Sequence, residues 1–178
     1  MRHMNQPDPL VETYTILDTP LGPMALGARQ KKLRGVILPR PGKTHPDELA
    51  SRIWPSAKPS RSVLPDLVSQ VRAYWAGKPR IFRVDLDLQG RPPFFCKVWQ
   101  AAMRIPPGEV RTYGQLAAIV DVPRAARAVG GAMAANPFPL IVPCHRVVAA
   151  STLGGFSAPG GVHLKEALLD WEHRSQPR

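Results

Sequence analysis

The chain reads as two parts of different class: an α/β N-terminal half built on an antiparallel sheet, then a mainly α C-terminal half. Three observations predict this. From Thr13 the stretch TYTILDTPLGPMALGARQKKLRGVILP alternates short β-rich runs with turn signals. From Phe94 onward apolar residues recur at helical spacing. Between the two lies Leu88-Gln89-Gly90-Arg91-Pro92-Pro93, a Gly/Pro segment of the kind that joins domains.

In the first half the turn signals fall at Pro20-Leu21-Gly22-Pro23 and Gln30-Lys31-Lys32, which predicts strands over about 11–18, 22–29 and 32–38. The run Lys31, Lys32 and Arg34 is expected on an exposed turn. Residues 39–62 are rich in Pro, Ser, Lys and Arg, with one helix near 46–54. Asp66 to Ala76 carries apolar residues at 67, 68, 71, 74 and 75, a helix closed by Gly77 and Pro79. A further strand is expected over 81–88.

In the second half Phe94 to Met103 places apolar residues on one helix face. Pro106-Pro107-Gly108 is a turn. Thr112-Tyr113-Gly114-Gln115 has the form of a capping box, a Thr N-cap with Gln three residues on, and predicts a short helix over about 113–119. Asp121-Val122-Pro123 breaks it. The next helix runs to about Ala135 and stops at Asn136-Pro137. Two helices so closely joined suggest a helix-turn-helix. The expected division is a loose tail over 1–10, an α/β domain over 11–88, a linker over 89–93 and a helical domain over 94–178.

The bulk numbers bound the function classes. With 178 residues and 44% hydrophobic content the chain is globular, with one large domain or two small ones. No apolar run approaches the ~20 residues that span a bilayer. The N-terminal MRHMNQPDPL lacks the apolar stretch of a secretory signal, so a cytoplasmic protein without a membrane partner is expected. The two cysteines, Cys96 and Cys144, are too few for a disulfide framework or a four-cysteine zinc site. The five histidines show no ligand spacing with them, so neither metal nor cofactor is expected. A formal net charge of +11 and a pI near 10.5 attract polyanions such as nucleic acid, although the same surplus also serves solubility.

The second helix of the expected pair, RAARAVGGAMAAN, is smooth: Ala128, Gly130, Gly131 and Ala134 offer few side chains to base edges. Such a surface suits close approach to a nucleic-acid backbone or shallow groove, and equally suits tight helix packing. The most informative segment is LIVPCHRVV, residues 140–148, which sets a Cys, a His and an Arg between apolar flanks. A thiol attacks as thiolate, and His145 as base and Arg146 as local positive charge would raise the ionised fraction. A buried Cys used as a small hydrophobe is the competing reading of those residues alone.

PCHRVV, preceded by RAVGGAMAANP and followed by GGFSAPGG, closely resembles the O6-alkylguanine-DNA alkyltransferases, the methylated-DNA–protein-cysteine methyltransferases. The resemblance covers the C-terminal half from FFCKVW through GEVRTYGQLA to LKEALLDWE, and shows more weakly at TPLGPMAL. It implies a ribonuclease-H-like N-terminal domain and a helical DNA-binding domain. It implies single-turnover repair, in which an O6-alkylguanine is flipped out of the duplex and its alkyl group kept on Cys144. The implied roles are alkyl acceptor for Cys144, proton acceptor through a water for His145, and orienting carboxylate for Glu172. Asn136 would brace the active-site turn. Tyr113 would donate to the leaving guanine and help to turn the nucleotide out. Arg127 would fill the vacated stack, with Ala128, Gly130, Gly131 and Ala134 against the minor groove. Met133, Val147, Phe156 and Ser157 would line the substrate, Ser157 on the loop over the flipped base.

The implied partner is double-stranded DNA, bound largely independently of sequence by a monomer. Phe156 stands where some members have Tyr, and Ala158-Pro159 lengthens the loop. The cysteine and histidine set with which some members bind zinc is missing. Two rivals remain: a non-catalytic sensor of alkylated DNA, which would lack the acceptor Cys, and a helix-turn-helix regulator, which would carry longer side chains on its reading helix.

Overall fold

The computed structural model describes residues 8–39, 46–78 and 81–175. The N-terminal half is a four-stranded sheet in the order β3-β2-β1-β4. Its strands are β1 (Thr13–Leu17), β2 (Met24–Arg29), β3 (Lys32–Ile37) and β4 (Lys58–Pro59). The first three form the expected antiparallel meander. The two-residue β4 adds parallel to β1, which no alternation in the Pro- and Ser-rich segment announced. The strand expected over 81–88 is instead an irregular segment. It holds only a bridge between Leu33 and Leu86, with Leu33 N–H donating to Asp85 O and Asp87 N–H to Leu33 O.

Helix α1 (Pro46–Ile53) covers one face of the sheet, where Leu49, Ala50, Ile53 and Trp54 pack on Val11, Tyr14, Ala25 and Ile37. On the other face Leu17, Met24, Leu26 and Leu33 join Leu67, Val71 and Tyr74 of α2 (Pro65–Trp75). That second core is continuous with the C-terminal half, through Val98, Trp99, Leu116, Val129, Phe138 and Leu168. The site therefore rests on a hydrophobic mass that both halves build.

Two corrections concern charge. Arg34, expected on an exposed turn, is buried on β3 and bonded to Asp8, with Asp87 also within ion-pair distance. Asp8, expected in the loose tail, is tied down by Ile53 O, Arg34 and Arg91. A period-2 strand pattern does not reveal a buried cation whose partners come from distant segments. Residues 1–7 of the expected tail and Pro79 lie outside the described residues.

Gly27 and Gly35 face each other across β2 and β3, beneath the Trp54 indole. A Cβ at Gly27 would meet Trp54 Cη2 and Val11 Cγ1 at 2.9 Å, closer than real contacts allow. Gly27→Ala is expected to destabilise the fold by about 1–3 kcal/mol, the usual range for overpacking. Thermal melting checks this, and an unchanged midpoint would mean that the indole moves aside freely.

The C-terminal half carries α3 (Pro93–Ala102), α4 (Tyr113–Ile119), α5 (Ala126–Ala134) and α6 (Gly161–Arg174). The capping box forms as expected: Thr112 Oγ1 accepts from Gln115 N–H, and the Gln115 side chain accepts from Thr112 N–H. Helices α4 and α5 are the helix-turn-helix pair, packed on α3. A short parallel pair, β5 (Arg111–Thr112) with β6 (Val147–Val148), brings the start of α4 beside the Cys144 segment. Among the described residues no helix is long and apolar enough to cross a membrane.

Candidate active site

Cys144, His145 and Arg146 form one turn of 3₁₀ helix between the apolar run 138–142 and β6. The turn is braced by Asn136, whose Nδ2 donates to Val142 O at 2.9 Å while its Oδ1 accepts from Phe138 N–H at 2.9 Å. Asn-Pro at the end of α5 thus stops the helix and fixes the next loop at once.

The centre of the site is the carboxylate of Glu172, wholly buried on the inner face of α6. Its Oε1 meets His145 Nε2 at 2.8 Å, Arg146 Nη2 at 2.7 Å and Tyr74 Oη at 2.9 Å. Its Oε2 accepts from Arg146 Nε at 3.0 Å and from Gly108 N–H at 3.1 Å. Burial pushes the Glu172 carboxyl up, but the His145 hydrogen bond and the Arg146 guanidinium outweigh it and hold the group well below the usual carboxylate range.

An ionised carboxylate only accepts, so His145 Nε2 carries the proton and Nδ1 presents a lone pair. Nδ1 is buried and makes no hydrogen bond among the described residues. Burial holds the imidazole below its ordinary pKa, in its neutral form. His145 is thus a neutral imidazole, oriented by Glu172 and adjacent in sequence to the thiol.

The Cys144 thiol is pushed up by burial, while Asn136, the Lys165 ammonium and the backbone N–H groups of Cys144 and His145 pull it back. This corrects the expectation for Arg146. Its guanidinium is directed into Glu172 and the Ile105 carbonyl, so it serves the carboxylate rather than the thiol. The cation that acts on Cys144 is Lys165, fully buried on α6, with Nζ donating to Val147 O and Leu153 O at 2.6 Å. The sequence reading missed it, because a lysine in LKEALLDWE looks like a solvated helix residue. It missed Tyr74 for a different reason: the contact joins residues 98 positions apart.

Tyr113 stands at the start of α4, half-buried, its hydroxyl pushed up by burial and by the charge of a Cys144 thiolate. Gly154, at φ +69°, lies against its ring: a Cβ there would meet Tyr113 Cε2 at 3.2 Å. The 154–161 loop is thereby seated over Tyr113, and Ser157 Oγ ties it to Ala134 O at 3.0 Å. Arg127, Ala128, Gly131 and Ala134 lie on the exposed face of α5, with Gly130 half-exposed. Phe156 packs partly buried on the main core, whereas Met133 and Val147 are fully inside it. Cys96 sits half-buried on α3, and His163 and His173 are exposed on α6. Among the described residues no group of three or more His, Cys, Asp or Glu side chains could hold a metal ion.

Residues 13–88 match the family described as 6-O-methylguanine DNA methyltransferase, ribonuclease-like domain, and residues 93–174 match its DNA binding domain. The chain belongs to this family. Among its relatives in the family is the methylated-DNA–protein-cysteine methyltransferase of Mycobacterium tuberculosis, 38% identical over 169 residues, or 92% of this chain and 94% of the relative. The constitutive enzyme of that name from Bacillus subtilis is 36% identical over 91% of this chain and 96% of its own. A crystal structure of Mycobacterium tuberculosis OGT in complex with DNA superposes with a TM-score of 0.75 at 37% identity, covering 93% of this chain and 95% of that one. Family membership makes the sheet domain ribonuclease-like and the helical domain DNA-binding, as expected from the sequence.

Proposed function

We propose that this protein repairs DNA by moving the alkyl group of an O6-alkylguanine irreversibly onto Cys144. The observation that carries the reading is the orientation of His145. With Nε2 committed to Glu172, its free Nδ1 lone pair serves as the base for the neighbouring thiol. A water between the two passes the thiol proton to Nδ1. The Cys144 thiolate then attacks the alkyl carbon, and the S–C bond forms as the C–O6 bond breaks. The electron pair stays on the guanine, which takes a proton from Tyr113, and the phenolate regains one through solvent as His145 releases the proton of the thiol, so no net charge is left. The thioether faces no group placed to hydrolyse it, so each molecule acts once.

The alkylated oxygen is inaccessible in a stacked duplex, and turning the base out costs a few kcal/mol. Arg127, exposed on α5, fills the gap as an inserted side chain does in other bent or opened duplexes. The small residues Ala128, Gly130, Gly131 and Ala134 let α5 approach a minor groove, where base-specific contacts are few and binding is nearly independent of sequence. The +11 charge supplies attraction to phosphates. Phe156 and Ser157 cover the flipped base, with Met133 and Val147 shaping the floor beneath it from within the core. No cofactor enters this scheme, a monomer suffices, and the protein works inside the cell, on its DNA.

Mixing the protein with a duplex that carries one O6-methylguanine is expected to add one methyl mass to the intact chain, mapped by peptide analysis to Cys144. Binding of the duplex with no mass change would replace repair by the sensor reading.

A further inference from the structure

Glu172 Oε1 is a crowded atom. Three donors reach it within 2.9 Å: Arg146 Nη2, His145 Nε2 and the hydroxyl of Tyr74. A carboxylate oxygen offers two lone pairs, so the three share its charge and each weakens the others. Two of the donors belong to the Cys144 turn. The third comes from α2, in the ribonuclease-like domain.

We propose that Tyr74 is a positioning residue for the reaction at Cys144: its hydroxyl fixes Glu172 Oε1 and competes with His145 for it, so that the N-terminal domain sets the basicity of a histidine in the other domain. The inference rests on the repair reading above and assigns that domain a part in it.

The geometry around Tyr74 supports a fixed donor rather than a chance contact. The ring is fully buried, edge-on to Trp75 at 5.0 Å and tilted against Phe82 at 5.6 Å. Its backbone carbonyl accepts from Trp171 Nε1 at 3.3 Å, one residue before Glu172. Helix α2 is therefore pinned to α6 beside the carboxylate as well as at it. Burial and the Glu172 charge push the phenol far up, so it stays a donor at every working pH. A second contact reaches the site from the same domain: Val36 N–H on β3 donates to Pro137 O at 2.9 Å, next to the bracing Asn136.

Removing the hydroxyl would have two effects. Oε1 loses a restraint, and its released charge passes to the remaining donors. A stronger Nε2–H···Oε1 bond favours the imidazolium, so His145 holds its proton to higher pH and is less often the free base. The other charged groups acting on this pair are Arg146 on the turn and Lys165 on α6, and beyond them Cys144 faces Lys165 and Tyr113. None of them changes in Tyr74→Phe.

The test is the single-turnover rate of methyl transfer from an O6-methylguanine duplex, followed from about pH 5 to 9. In Tyr74→Phe the acid limb is expected to move to higher pH by about half a unit to one unit, with the neutral-pH rate falling severalfold. Tyr14→Phe is the control. It deletes the only other tyrosine hydroxyl of that domain, bonded to Asp47 at 3.2 Å, and is expected to leave the limb in place. The proton resonance of His145 Nε2 needs no DNA and reports the same bond: it is expected downfield in Tyr74→Phe. A pH profile and a resonance that both overlay the wild type overturn the inference. If Tyr74→Phe does not fold, 3-fluorotyrosine at position 74 replaces it. Its more acidic hydroxyl is a stronger donor and should move the limb and the resonance the opposite way, and no movement overturns the inference equally. Should wild-type protein gain no methyl mass, the repair reading fails separately, and the resonance alone decides the coupling between the domains.

Discussion

Glu172→Gln is expected to destabilise the protein by about 3–5 kcal/mol, the usual consequence of removing one partner from a buried ion pair. The arrangement leaves no room for a neutral substitute. Arg146 is 1% exposed and His145 and Glu172 are wholly buried, so the guanidinium would keep its charge with no counterion and no water. The amide nitrogen of Gln would also face Arg146, His145, Tyr74 or Gly108, all of which donate. Methyl transfer should fall by at least about 10²-fold, because His145 would lose the acceptor that fixes its tautomer and ring plane. Urea unfolding at neutral pH measures the first effect, and a midpoint close to that of the wild type would show that the site relaxes around the amide.

The pH dependence of that loss has a definite sign. Glu172 is held below its ordinary value in the fold, so its ionisation stabilises the protein at neutral pH. The contribution is complete above the unfolded value of about 4.3 and disappears as pH falls from there toward the lower folded value. The gap between wild type and Glu172→Gln should therefore narrow as the medium is acidified below about pH 4.3. A gap that stayed constant across that range would mean that the carboxyl titrates no lower in the native site than in the unfolded chain.

What the sequence made legible follows from how local each signal is. The capping box at Thr112 and Gln115 needs only four consecutive residues, and it forms as written. The three-strand meander needs only alternation and turns. The strand expected over 81–88 does not form, since one apolar run can satisfy a single bridge to Leu33 as well as a full ladder. Glu172 and His145, 27 positions apart, were linked by resemblance alone, for no periodicity joins a helix face to a distant turn. Arg146 carries its charge to Glu172 rather than to Cys144, because adjacency in sequence says nothing about which way a turn directs successive side chains. Lys165 and Tyr74 were invisible as polar participants. Each sits at an inward position of an amphipathic helix, where a lysine reads as noise and a tyrosine as core.

Lys165→Met should have the second large effect, and it separates two roles that the ammonium fills together. Nζ donates to Val147 O and Leu153 O at 2.6 Å and reaches Gly155 O at 3.4 Å, so it ties β6 to the loop that crosses Tyr113. It is also the cation whose charge favours the Cys144 thiolate, and that thiolate in turn favours the ammonium against the penalty of burial. Methionine fills much of the same volume but leaves the carbonyls unpaired, at about 1–3 kcal/mol for each buried group left without a partner. Methyl transfer at neutral pH is expected to fall about 10²-fold, since the thiol must then ionise in a buried site without its cation. The two roles part in the pH profile. If charge dominates, reaction of Cys144 with iodoacetamide moves to higher pH and the transfer rate partly recovers there. If Lys165 only holds the loop, the rate is reduced equally at every pH and the thiol titrates as in the wild type.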